Sequence, residues 1–207
     1  MDTTYFWRQY WIMVFRSCEL KKNILRKEVK RETKQLYIDW IKYLKDQWWK
    51  IMAIVCDWKK GLLWGFWSIP TQMCTFHQQQ IVRRYITKKP KLEANIEFKG
   101  IASMIGKIKK ETMNIWLEDR HDRYKEFLNE KNESKKRVHT RTRKAYRSLK
   151  TNLEYLYTFQ DYAWRIQIPS TTNSLESVFW HMKQKVLLHR WLKKPRKRKL
   201  IDEFLWK

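Results

Sequence analysis

Apolar positions near the amino terminus fall into short runs that predict strands. Thr3 to Phe6, Ile12 to Phe15 and Asn23 to Val29 are each partly β-branched or aromatic and are separated by polar segments of hairpin length. Three strands in meander is the simplest connection. From Glu32 to Gln47 the period lengthens, with Tyr37, Trp40, Ile41 and Leu44 recurring at spacings of three and four. That spacing predicts an amphipathic helix whose single apolar stripe packs on the sheet. The unbroken run Ile51 to Cys56 then suits a strand covered on both faces. It carries Asp57 at its C-terminal end, where open α/β sheets build their sites. A second short strand is expected near Thr71 to Phe76, leading into a helix through Gln78 to Ile86.

Strand signals stop after Lys88-Lys89-Pro90. Leu92 to Phe159 is charged helical material, read as an insertion, and an extended piece follows from Arg165 to Pro169. Capping residues gather at Ser170-Thr171-Thr172-Asn173-Ser174, ahead of a stripe of Leu175, Val178, Phe179, Met182 and Val186. A last helix is expected to begin at Pro195, a residue favoured at a first helical position, and to bury Leu200, Ile201, Phe204 and Leu205. The chain thus divides into a first core segment (1–90), a helical insertion (91–164) and a second core segment (165–207).

Composition narrows the chemistry. The 207 residues carry a net charge of +25, which points to a polyanionic partner, nucleic acid or an acidic membrane face. The membrane reading is the weaker, because the basic residues are spread over many helices and no single apolar-backed face gathers them. With 43% hydrophobic residues the chain is not expected to be disordered, and its longest apolar stretch, six residues, is far short of the ~20 that a spanning helix needs. MDTTYFWRQY has no signal-peptide pattern, and three cysteines do not make a disulfide framework, so a cytoplasmic location is expected.

Asp2 opens the first strand, Asp57 ends the fourth, and Glu176 lies at the start of a late helix. Carboxylate oxygens are the hard ligands that Mg²⁺ prefers, and three of them can hold two ions about 3.5–4 Å apart, clamping the attacking and leaving oxygens of a phosphodiester. Among 21 acidic residues many such triplets could be drawn. The segments MDTTYF, VCDWKKGL, IPTQMCTFHQQQIVRRYITKKPKLEA, RKAYRSLKTNLEYL and IPSTTNSLES together resemble the Mutator-like DDE transposases of bacterial insertion sequences, in the family's order and over nearly the whole chain.

The resemblance implies a mixed α/β ribonuclease H-like core interrupted by an all-helical insertion. It implies Asp2, Asp57 and Glu176 as catalytic and metal-holding residues, two Mg²⁺ ions (Mn²⁺ as a substitute), and cleavage and strand transfer at the ends of a DNA element. The 119-residue offset from Asp57 to Glu176 accommodates the insertion and argues against compact integrase-type relatives. Full-length relatives add an N-terminal region that recognises the element's ends and are expected to act as homo-oligomers. Here the sequence begins one residue before the first Asp, so a clipped first strand, a truncated copy and doubtful activity are expected unless a start codon lies upstream. The alternative from another class is a non-catalytic, basic DNA-binding remnant of the same fold.

Each residue also has a plainer role open to it. Glu176 could be the capping-box glutamate that reaches back to the Asn173 amide. Asp57 could be a solvated turn residue, and Asp2 a frayed terminal side chain. Cys74 and His77 form a C-x-x-H pair that matches a family signature of unknown role; a structural zinc needs four ligands and no second pair is spaced to supply them. His181 and His189 are read as surface or DNA-facing. Lys183 lies seven positions after Glu176 and hence on its helix face, and Lys185, Arg190, Lys193, Lys194, Arg196, Lys197, Arg198 and Lys199 extend a strip expected to hold DNA backbone with a steep salt dependence.

One ratio is anomalous. There are 4 glycines beside 13 tryptophans, where ordinary usage would give roughly 14 glycines. Trp48 follows a helix end, where a left-handed glycine is wanted. Trp58 follows Asp57, where the resembling family reads D-G, and Trp67, Trp180 and Trp191, with Trp7 and Trp11 flanking the first hairpin, fall at similar places. The expectation is a gene that uses UGA for glycine, translated as if UGA meant tryptophan.

Overall fold

The structure is a computed structural model and describes residues 1–6, 10–57, 61–66 and 68–206. Its elements run β1 (Asp2–Phe6), β2 (Tyr10–Arg16), β3 (Asn23–Val29), α1 (Lys34–Asp46), β4 (Ile54–Cys56) and β5 (Thr71–Met73). There follow α2 (Thr75–Ile86), α3 (Glu93–Ser103), α4 (Lys110–Arg123), α5 (Lys125–Asn129), α6 (Thr140–Leu156), α7 (Thr158–Asp161), α8 (Asn173–Leu188) and α9 (Lys194–Trp206). The fold is mixed α/β, and the chain forms two compact units, Met1–Ile69 with Thr171–Lys207, and Pro70–Ser170.

In the first unit β1, β2 and β3 form an antiparallel meander, with Asp2 opposite Val14 and Thr4 opposite Ile12. Because side chains alternate across a strand, Asp2, Thr4 and Phe6 share one face with Ile12 and Val14. That face is covered by α8 and α9: Phe6, Ile12 and Val14 form one buried cluster with Leu175, Phe179, Met182, Val186, Ile201 and Leu205. The opposite face is covered by α1, where Tyr37, Ile41 and Leu44 are buried and the Phe15 and Tyr37 rings lie 6.1 Å apart. Burying a large apolar side chain is worth about 1.5–3 kcal/mol, so both helix layers are anchored by the pattern visible in their sequences. The run ahead of Asp57 departs from expectation. Met52 is exposed and only Ile54–Cys56 is strand, so this segment is not covered on both faces along its length.

The second unit is helical apart from β5 and begins at Pro70, some twenty residues before the boundary expected at Lys88-Lys89-Pro90. The reason is α2, whose buried Gln78 bonds Asn152 of α6 through its side-chain carbonyl at 2.9 Å. Arg120 of α4 is fully buried, donating twice to the Ala94 carbonyl and lying 4.6 Å over the Phe98 ring. A short hairpin with paired Lys131 and Arg137, unforeseen in the sequence, interrupts the helices between α5 and α6.

Candidate active site

The site residues are positioned by three separate parts of the first unit. Asp2 opens β1 and its Oδ1 accepts from the Thr3 amide at 2.7 Å. The Met1 amino group donates to the Val55 carbonyl at 2.7 Å, which sets the start of β1 beside β4, and Asp57 follows two residues after Val55. A hydrogen-bonded chain holds this corner. The Thr3 hydroxyl bonds the Tyr37 phenol at 2.6 Å, and the phenol donates to Glu32 at 2.7 Å. Burial, then the charge of Glu32 and more weakly that of Asp2, push the Tyr37 pKa well above its ordinary value, so the phenol stays a neutral donor. Asp2 is therefore not a frayed terminal side chain; its strand pairs with β2 opposite Val14, and the Met1 amino group before it is bonded to Val55.

Glu176 lies in the first turn of α8, next to Leu175, which seals that helix to the Asp2 face of the sheet. Its Oε1 accepts from the Thr172 hydroxyl at 3.1 Å. The helix begins one residue earlier than the capping-box reading requires: Thr172 is the N-cap, and the Asn173 amide bonds the Thr171 hydroxyl at 3.4 Å. The carboxyl group of Glu176 thus bonds a side chain where a capping box would have turned it back to the Asn173 amide. Thr172 and the Thr3–Tyr37–Glu32 chain are the supporting residues that sequence reasoning missed. Only the pile-up of threonines before α8 hinted at the first, and nothing local hinted at the second.

Three carboxylates acting together would offer only the hard oxygens that magnesium prefers. Among the described residues, Asp2, Asp57 and Glu176 are not gathered into one tight single-ion cluster. Cys74 and His77 lie in the second unit, Cys74 as the buried N-cap of α2 and His77 one turn on.

The basic strip divides on inspection. Arg198 is paired with Glu28 of β3, Lys197 donates to the Arg190 carbonyl at 2.6 Å, and Lys185 and Lys183 lie over the Phe204 and Tyr5 rings at 5.3 and 5.4 Å. Arg190, Lys193, Lys194, Arg196 and Lys199 are exposed. A cavity of about 350 Å³ beside this strip is lined by Arg26, Glu28, Arg198, Asp202 and Trp206 among others, and by none of the three carboxylates. Four of its ionic residues are paired with one another, Arg26 with Asp202 and Arg198 with Glu28, while Lys27 lies over the Trp40 ring.

No protein-family model, curated protein or solved structure matches the chain. Among the described residues, no helix is long and apolar enough to cross a membrane. Trp7, Trp58 and Trp67 lie outside the described residues. Of the other positions marked for glycine, Trp48 alone has positive φ, at 64°. Trp11 is an ordinary residue of β2 packed 5.3 Å from the Tyr5 ring, and Trp180 lies inside α8.

Proposed function

We propose that the chain is a DDE transposase of the Mutator-like type, with a ribonuclease H-like core, acting on DNA by phosphodiester cleavage and strand transfer. What supports this reading is an edge-strand Asp2 whose sheet face is covered by the helix that carries Glu176, with the strand that precedes Asp57 tied to the start of β1 through the Met1–Val55 bond. Asp2, Asp57 and Glu176 would hold Mg²⁺ or Mn²⁺. Such ions lower the pKa of the attacking water or 3′-hydroxyl and neutralise the leaving oxygen. The chain's own part would be to fix two of the carboxylates, Asp2 through the β1 pairings and Glu176 through Thr172, so that little reorganisation accompanies reaction. The charge of +25 supports DNA as the partner, held chiefly by its backbone.

The test is strand transfer of a 3′-hydroxyl oligonucleotide into plasmid DNA with Mg²⁺ or Mn²⁺. Asp57→Ala and Glu176→Ala should each abolish the product while leaving DNA affinity within about twofold, because neither residue contributes a cation to backbone binding. The second reading, a basic DNA-binding protein without the chemistry, is favoured by the charge alone. It predicts DNA binding with no metal-dependent product from the parent chain.

A further inference from the structure

The helical second unit carries a cationic surface that the carboxylate site does not use. From Ser134 to Leu153 there is no acidic residue, while Arg137, Arg141, Lys144 and Arg147 recur at spacings of four, three and three, all exposed. Arg141 is tethered to the Arg84 carbonyl at 2.8 Å. Arg137, Lys144 and Arg147 have no side-chain partner among the described residues. Arg147 also lines a cavity of about 250 Å³ together with His121, Leu128, Arg143 and Tyr146. There the His121 and Tyr146 rings stack at 4.5 Å with 13° between their planes, and Arg143 is fixed to the Leu128 carbonyl and the Asn129 side chain, both at 2.8 Å. A row of free cations running into a recess with an aromatic pair matches the two parts of a nucleotide, phosphate and base.

We propose that this unit binds single-stranded nucleic acid, the backbone along Arg137, Lys144 and Arg147 and one unpaired base in the His121–Tyr146 recess. It deepens the DNA reading by adding a strand-holding surface. Binding is measured by fluorescence anisotropy on the full chain in EDTA, with a blunt duplex and the same duplex bearing a 3′ overhang. The parent should prefer the overhang, and Tyr146→Leu should weaken overhang binding about tenfold while leaving the blunt duplex unchanged. The triple substitution Arg137→Gln, Lys144→Gln and Arg147→Gln should lower the slope of log affinity against log salt by about 2, three contacts at about 0.7 each on a single strand. These exposed positions leave folding intact, so an unchanged slope overturns the proposal, as does equal affinity for the two DNAs. Without metal, neither outcome depends on whether Asp57 and Glu176 are catalytic.

A separate observation concerns the tryptophans. Ten of the 13 are described; none is buried, and eight are exposed, Trp48 at 94%. Tryptophan is normally among the more deeply buried residues on average. Trp48 closes α1 in a Schellman motif, its amide bonding the Lys45 carbonyl at 2.9 Å and the Trp49 amide the Leu44 carbonyl at 3.0 Å, with φ 64°. That position is usually glycine. Trp40 is different: half-buried within α1, it packs edge-on to Tyr43 at 5.4 Å and under Lys27 at 4.6 Å.

We infer that residue 48 of the natural protein is glycine, written as tryptophan because its UGA codon was read under the wrong table, while Trp40 is a true tryptophan. The codons decide it: UGA at 48 with UGG at 40 is expected, and UGG at 48 overturns the inference. Mass spectrometry of the protein from its own cells is the second measurement. The tryptic peptide Asp46–Lys50 should lack the indole at position 48, and a peptide with tryptophan there overturns the inference equally.

Discussion

Replacing Trp48 by glycine should stabilise the first unit. The left-handed conformation costs a residue with a Cβ about 1–2 kcal/mol, and Trp48 holds φ at 64°. Against this, glycine has more freedom to lose from the unfolded chain, about 0.4–1 kcal/mol. The indole offers nothing to offset the strain, since it is 94% exposed and its removal sacrifices almost no buried area. The net gain is about 1 kcal/mol, or about 2–4 °C in Tm for a protein of this size. Thermal and urea unfolding followed by circular dichroism would measure it. Trp180→Gly is the control, because Trp180 is equally a solvent-facing indole but sits in the body of α8. There glycine should cost about 0.5 kcal/mol through helix propensity. If Trp48→Gly lowers the melting temperature, or if both substitutions move it in the same direction, the backbone argument at residue 48 is wrong.

Thr172→Val should leave α8 folded, since the side chain makes no backbone cap, yet reduce metal-dependent strand transfer about tenfold by releasing Glu176, read as initial rate against Mg²⁺ concentration. Tyr37→Phe removes both phenol hydrogen bonds and should cost about 1–3 kcal/mol by urea titration. The pH dependence follows from the same group. The folded pKa of Tyr37 is raised, so its contribution is fully present below about pH 10 and declines as pH rises above that, where the unfolded chain loses the proton first; Tyr37→Phe should flatten that decline. Arg120→Met should destabilise the second unit by about 2–4 kcal/mol, because the Ala94 carbonyl would lose both of its Arg120 donors. Burial lowers the Arg120 pKa to about 10, still well above neutral, so this loss should be independent of pH between 6 and 8.

The elements themselves were legible. Strands at Thr3–Phe6 and Asn23–Val29 and the stripes of α1 and α8 appear where alternation and three-four spacing place them, because each pattern is local and one face of each element is buried. What escaped the sequence was non-local or depended on a single residue of register. The boundary at Pro70 is set by the Gln78–Asn152 pairing across 74 residues, and the Thr3–Tyr37 bond spans 34. The start of α8 at Thr172, one residue before the expected cap, changes what Glu176 bonds. Two of three carboxylates could be set at strand ends from pattern alone; their grouping with Glu176 came only from the family resemblance.

The two faces of the sheet are closed by different helices. On one face Thr3 and Phe15 meet Tyr37 of α1, a layer closed by that neutral, buried phenol. On the other, Asp2 belongs to the same row as Thr4 and Phe6, and the helix laid over that row is the one whose first turn carries Glu176. Leu175 and Phe179 are buried in the cluster that holds Phe6, so Glu176 cannot shift along the sheet without breaking an apolar contact worth about 1.5–3 kcal/mol per side chain. An acidic residue beside a sealed hydrophobic anchor is held more tightly than one on a loop. A site that aligned phosphodiester oxygens, as proposed for this chain, would benefit from that stiffness. Leu175→Ala should therefore impair strand transfer beyond its loss of stability, with Km for Mg²⁺ rising while DNA affinity stays level; an unchanged metal dependence in a folded Leu175→Ala chain would separate Glu176 from the chemistry.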